Sequence, residues 1–288
     1  MDSIGVQKIH DAYIYGQEDE LNRLWNEECP KTLIKFYPAK YLENGVNYLL
    51  KHLQEETIWL SSPSTFNDPF DCVLNVDCHK DAYRAQRTFI KRMVRDKASE
   101  EILSSNLGKL VLKMATNEFE KVLPSLHKSV EKKIYVTCFS EPDNLYSVRM
   151  WGHYANNHSG VCVEYDYDIV KNMCPFGCIP IKYTDRYSHR FYVDGAVENT
   201  KNILNMIYKK ATEWEYEKEW RVAYYLDENK GAGFNSPCGL PKRVYLGCKV
   251  GEKLKKDVLD LCKVKGIEVM QMSLLPESYK LFVGLNLV

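Results

Sequence analysis

Trp214-Glu215-Tyr216-Glu217-Lys218-Glu219-Trp220-Arg221 runs straight into Val222-Ala223-Tyr224-Tyr225-Leu226. The first part mixes acids, bases and large aromatics, and the second is apolar with β-favouring residues. Successive side chains of a strand point to opposite faces. A strand opening at Glu219 therefore puts Trp220, Val222, Tyr224 and Leu226 on one face and Glu219, Arg221 and Ala223 on the other. The second face presents a carboxylate beside a guanidinium. That pair serves equally as a catalytic carboxylate in a cleft or as an ion pair on a sheet.

The same reading extends along the chain. Residues 1–30 are polar and helical in pattern, an N-terminal appendage ending at Cys29-Pro30. Leu33–Tyr37 reads as a strand stopped by Pro38, and Leu42, Val46, Leu49, Leu50 and Leu53 give a helix over 41–54. Strands are expected at Thr57–Ser61, Ile134–Ser140, Val161–Asp166, Ile179–Tyr183, Arg243–Leu246, Ile267–Ser273 and 279–286. Helices are expected from Asp143 or Asn144 to Asn157, with Gly160 closing the helix, and at 198–213 and 251–265. Residues 227–241 read as a loop, and 80–132 as a charged helical insert. Strands and helices mix without regular alternation. This predicts an α+β fold with a mixed or antiparallel central sheet, as one domain over 31–288.

Composition narrows the function. Lys plus Arg equal Asp plus Glu at 39 each, so there is no global basic excess of the kind non-specific nucleic-acid binding needs. The local run Arg84, Arg87, Lys91, Arg92, Arg95 and Lys97 reads as a solvated helix face. No run approaches the roughly 18 apolar residues of a membrane span, and the opening Met1-Asp2-Ser3-Ile4-Gly5 does not read as a signal peptide, so none is expected. A cytoplasmic chain with its 10 cysteines reduced is expected. Cys174 and Cys178 find no second close pair, so no metal site is expected.

Several short blocks could carry chemistry. In Phe66-Asn67-Asp68-Pro69-Phe70-Asp71, turn formers build a rigid loop that anchors two rings or offers Asn67 or Asp68 to a ligand. Cys138-Phe139-Ser140-Glu141 ends a strand with a hydroxyl at Ser140, a position favoured for ligand contact. In Met150-Trp151-Gly152-His153-Tyr154-Ala155, Trp151 falls on the stripe of Leu145, Val148 and Ala155. His153 and Tyr154 lie beside it, and Gly152 suggests close packing or approach to a ligand. Glu164, an acid amid apolar strand residues, calls for a partner such as Arg149 or Arg221. Phosphate-loop, dinucleotide-fingerprint and zinc-protease motifs are absent.

Taken in order, Phe66-Asn67-Asp68-Pro69-Phe70-Asp71, Cys138-Phe139-Ser140-Glu141, Met150-Trp151-Gly152-His153-Tyr154-Ala155 and Tyr216-Glu217-Lys218-Glu219-Trp220-Arg221 resemble a widespread bacterial family of unknown function. Its members are often met near mobile elements and phage-defence genes, and the resemblance covers roughly 33–250. The layout is also similar to ADP-ribosyltransferases. That similarity implies an NAD-dependent transferase or NAD-cleaving effector, in anti-phage defence or a toxin system, with NAD as substrate and a protein or nucleic-acid target. Lys35 or Tyr37 would hold the dinucleotide, and Ser140 or Tyr154 would line the nicotinamide pocket. Glu219 would be the catalytic acid. Trp151, Tyr154 or Tyr37 would stack, and Arg221, Lys35 or Arg149 would meet the pyrophosphate. A carboxylate near the ribose would stabilise an oxocarbenium-like transition state. Two other readings use the same residues. One is a non-catalytic sensor module for a nucleotide or protein. The other is a metal-dependent nuclease built on Asp68, Glu164 and Glu219.

Overall fold

The structure, a computed structural model, describes residues 1–72, isolated positions between 105 and 129, and residues 131–174, 177–185 and 206–287. Most of the expected 80–132 insert, with its basic run, lies outside the described residues.

The strand expected to open at Glu219 is β8, Glu219–Tyr225. It lies antiparallel to β3, Ile134–Ser140, over its whole length, from Ser140 opposite Glu219 to Ile134 opposite Tyr225. Around this pair the described strands form one α+β sheet, mostly antiparallel. The path runs β12 (Leu281–Asn286), β11 (Glu268–Leu274), β10 (Arg243–Leu246), β4 (Val161–Asp166), β1 (Thr32–Tyr37), β3, β2 (Thr57–Ser61) and β9 (Gly233–Pro237). β8 pairs with β3 and with β5, Ile179–Pro180. Only β10 and β11 run parallel within it. A separate parallel pair joins β6, Lys182–Tyr183, to β7, Lys209–Lys210.

β3 meets its two neighbours on the path through single register pairs: Ile34 of β1 opposite Ser140, and Ser61 of β2 opposite Val136. Beyond these contacts the backbones part. The helix α3, Tyr48–Glu55, lies beside β2. It starts seven residues later than periodicity suggests, because Asn47 caps it by accepting from Leu50 N and also pairs with Tyr41 in an isolated bridge. Tyr41–Asn47 is therefore a closed loop.

The first two helices, α1 (Ser3–Ile14) and α2 (Glu18–Glu27), contribute Ile9, Ala12, Leu21 and Leu24 to the main core. His10 fastens α1 to β5: its Nε2 lies 2.7 Å from the Pro180 carbonyl and donates to it when the ring is neutral. Burial pushes this imidazole down to about 4, so the neutral form holds near neutrality.

The expected helix 143–157 divides. Pro142–Tyr146 is a 3₁₀ segment, and Ser147 caps the helix α4, Val148–Tyr154. Gly160 does not close it, since Asn156, Asn157 and His158 already carry positive φ. Gly160 is instead a close-approach position, where an added Cβ would lie 2.2 Å from the Tyr37 carbonyl oxygen. Gly152 marks neither close packing nor close approach, since nothing lies within 4 Å of a Cβ there. Of the expected helix 198–213, residues 198–205 lie outside the described residues, 206–207 are helical, and β7 and a 3₁₀ segment, Thr212–Glu217, take the place of its end; the 227–241 loop holds β9. Two further helices among the described residues are α5, Tyr167–Lys171, and α6, Glu252–Lys265, which Gly266 closes at φ 69°. No helix among the described residues is long and apolar enough to cross a membrane.

Candidate functional site

Register brings the site together. In the β3–β8 pairing, Cys138 stands opposite Arg221 and Ser140 opposite Glu219, so these four share one sheet face. The chain reaches Glu219 from the 3₁₀ segment through Lys218, whose backbone is left-handed (φ 43°, ψ 53°). Glu217, at the end of that segment, faces the same ammonium as Glu219, that of Lys210. Asn144 secures the turn, with Nδ2 donating to the Glu217 carbonyl at 2.6 Å and the Tyr216 carbonyl at 3.1 Å. Tyr183 Oη receives the Glu219 N–H at 2.8 Å.

Arg221 is wholly buried and fully engaged. Nε donates to Glu219 Oε1 at 2.6 Å. Nη1 donates to Asp71 Oδ1 at 2.8 Å and to the Ile207 carbonyl at 2.7 Å, and Nη2 to Asp71 Oδ2 at 2.6 Å. Lys210 is the second buried cation. Its Nζ donates to Glu217 Oε2 at 2.6 Å and Glu219 Oε2 at 3.1 Å, lies 3.6 Å from Asp71 Oδ2, and sits 4.8 Å from the centre of the Trp214 ring. Tyr154 Oη donates to the other oxygen of Glu217.

The two glutamates are thereby driven apart in acidity. Burial pushes Glu219 up, but Arg221 and Lys210 outweigh it and hold the carboxyl down at about 2. Burial raises Glu217 as well, and there Lys210 does not compensate. Burial, with Glu217 beside it, raises the Tyr154 phenol. Lys35 is a third cation. Its Nζ donates to the Cys138 carbonyl at 3.0 Å in the gap between β1 and β3 and lies near the Phe139 and Tyr37 rings. Among the described residues it has no carboxylate within 4 Å, and burial lowers its pKa.

These groups line a cleft of ≈ 220 Å³. Of the sequence candidates, Glu219, Tyr154, Ser140, Lys35, Asn67 and Arg221 line it. Tyr37 lines an adjoining cavity instead. Asp68 is a turn residue, its Oδ1 accepting from Phe70 N at 2.8 Å. Trp151 is wholly buried, with Nε1 donating to the Leu145 carbonyl and its ring edge-to-face with Phe36, so it is not available for stacking on a ligand. His153 is exposed outside the cleft, its Nδ1 3.2 Å from Tyr216 Oη. Arg149 lies over the Tyr216 ring. Glu164 pairs with neither Arg149 nor Arg221. It accepts from Tyr245 Oη at 2.7 Å and Arg243 Nη1 at 3.2 Å, on the strand that topology places beside β4. Asp68, Glu164 and Glu219 are therefore not brought together, and among the described residues no cluster of His, Cys, Asp or Glu could hold a metal ion.

Sequence reasoning missed Lys210, Glu217 and Asp71. The last two sit inside blocks singled out for their neighbours. Lys210 belongs to no motif.

The site is thus a buried five-charge network at one end of a β3–β8 strand pair, opening into a cleft. Residues 150–222 match the model of a family described as a protein of unknown function, DUF2971. The matched segment carries Tyr154, Lys210, Glu217, Glu219 and Arg221. No curated protein and no solved structure matches the chain.

Proposed function

We propose that the cleft cleaves or transfers across an N-glycosidic bond, with NAD as the substrate class and a protein or nucleic-acid acceptor, as an ADP-ribosyltransferase or NAD-cleaving effector does. One observation carries the reading. Two carboxylates, Glu217 and Glu219, share one ammonium, Lys210, yet are pushed in opposite directions in acidity. Paired titratable groups with diverging pKa values are the mark of divided acid–base labour.

Glu219 stays ionised and supplies fixed negative charge where a ribosyl cation develops. Glu217 accepts two hydrogen bonds where Glu219 accepts three. Each of its oxygens accepts one bond, from Tyr154 or Lys210, and keeps a lone pair for a ribose hydroxyl. Ser140 and Asn67 supply hydrogen-bonding groups at the wall, and Lys35 offers its charge to a phosphate. A role in anti-phage defence or in a toxin system is consistent with such an activity.

The test is NAD consumption, followed by release of nicotinamide and by label transfer to added protein or nucleic acid. Wild type should consume NAD and Glu217→Gln should not. A folded wild type that leaves NAD intact overturns the reading. A second reading, a non-catalytic nucleotide sensor, is favoured by the closure of the network, in which every buried acid already holds a cation. Saturable binding of NAD that is recovered intact after long incubation selects it.

A further inference from the structure

A second cavity of ≈ 520 Å³ adjoins the cleft and shares Lys35, Phe66 and Cys138 with it. It opens where β1 and β2 flank β3 without pairing with each other, beside α3. The glycosidic reading leaves it unused. The cleft alone is smaller than the about 300–1,000 Å³ usual for small-molecule sites, whereas the second cavity falls within that range. The pair therefore suits a ligand with two lobes.

The lining of the second cavity is chemically specific. Trp59 is 37% exposed despite its size. Its indole is held against Gly233, where an added Cβ would come within 2.6 Å of the ring and 2.2 Å of the Leu60 carbonyl oxygen. That contact leaves a fixed aromatic platform. His52 keeps its ring neutral through burial, and Nδ1 lies 3.2 Å from the Thr57 carbonyl. A carbonyl can only accept, so the proton is on Nδ1 and Nε2 is an acceptor. Lys40 lines the cavity, and Lys35 stands at the shared wall. An aromatic platform, a neutral acceptor and two ammonium groups match a base bearing an amine and a phosphate.

We propose that this second cavity is an adenine mononucleotide site, with the base on Trp59, His52 accepting from the exocyclic amine, and the phosphate toward Lys35 at the wall common to both cavities. The assignment deepens the glycosidic reading by giving the adenine half of NAD its place in the second cavity, and it rests on that reading only for the identity of the other half.

Calorimetric titration of the full chain with AMP, adenosine and ribose 5-phosphate tests it. AMP binds, and removing either the phosphate or the base weakens binding by about tenfold or more. Trp59→Ala weakens AMP binding by a similar factor, while Trp59→Phe, which keeps an aromatic face, retains most of it. Thermal melts show that each variant is folded. Wild type that fails to bind AMP overturns the proposal, as does a folded Trp59→Ala that binds AMP as well as wild type. NAD turnover measured on the same preparations separates the two ideas. AMP binding without NAD cleavage removes the glycosidic reading alone, and NAD cleavage without AMP binding removes this site alone.

Discussion

Arg221 grips Asp71 with a two-point fork, Nη1 to Oδ1 at 2.8 Å and Nη2 to Oδ2 at 2.6 Å, and both side chains are buried. The fork ties the Phe66–Asp71 loop to the middle of the sheet. Breaking a buried pair from one side strands the other charge, at a cost of about 3–5 kcal/mol. Asp71→Asn is expected to lose stability in that range in denaturant titrations. Arg221→Lys should do the same, because an ammonium cannot reproduce the fork. A loss below about 1 kcal/mol for Asp71→Asn, the figure typical of an exposed pair, would contradict the assignment.

Glu217 and Glu219 should separate under the same substitution. Glu219 holds both Arg221 and Lys210, so Glu219→Gln leaves buried positive charge and destabilises the fold by several kcal/mol, on the order of other broken buried pairs. Glu217→Gln removes a carboxylate whose charged form burial disfavours and leaves Lys210 with Glu219 and Asp71, so it costs less stability than Glu219→Gln. It is expected to reduce NAD turnover about 10²-fold or more, the range of a lost general acid–base group. Melting temperature and turnover measured on both variants give the answer. Reversed outcomes would exchange the two roles.

Acid should weaken the fold in two stages. His10 has its folded pKa depressed to about 4 from 6.5. The unfolded chain therefore takes up the proton first as pH falls. Stability from the neutral ring is complete above 6.5 and lost by about 4, on the order of 3 kcal/mol. Glu219, depressed to about 2 from 4.5, gives stability that is complete above 4.5 and lost between there and about 2. Glu217, raised, has the opposite sign: it favours the folded state as pH falls from its folded value to 4.5 and so offsets part of the upper stage. His10→Gln, which can still donate to the Pro180 carbonyl, should flatten the upper stage in unfolding titrations across pH. An unchanged slope between pH 6.5 and 4 would refute the assignment.

Two glycines should respond in opposite senses to alanine. At Gly160 an added Cβ meets backbone, the Tyr37 carbonyl oxygen at 2.2 Å and Ala155 at 2.9 Å, which cannot yield as a side chain would. Gly160→Ala is expected to cost about 1–3 kcal/mol or more. At Gly152, inside α4, nothing lies within 4 Å, and alanine should stabilise the helix by about 0.5–1 kcal/mol. Paired melts of the two variants check this directly.

The strands were the most legible part of the chain. Ile134–Ser140, Val161–Asp166 and Arg243–Leu246 fall on the residues expected, because each is a short apolar or alternating run bounded by turn formers. β9 was not legible, since Gly-Phe-Asn-Ser-Pro has loop composition and becomes a strand only by pairing with β2. The face shared by Glu219 and Arg221 followed from alternation. Glu217 has the same parity, but a strand opened at Glu219 leaves it outside, and there the chain is a 3₁₀ segment to which alternation does not apply. Lys210 reaches the network through tertiary packing, for which local sequence carries no signal. Glu164 needed an arginine as expected, but topology rather than proximity in sequence decided which.

The single-pair contacts of β1 and β2 with β3 have one more consequence. The slot between them is framed by main chain, so its width does not depend on which rotamers line it. Tyr48 and Ser61, which line it outside the buried core, can therefore be exchanged to retune what enters without dismantling the frame. The polar end, locked by five mutually dependent charges, has no such freedom. Variation between relatives is expected to concentrate in the slot, giving a chain with a fixed reactive end and an adaptable specificity end.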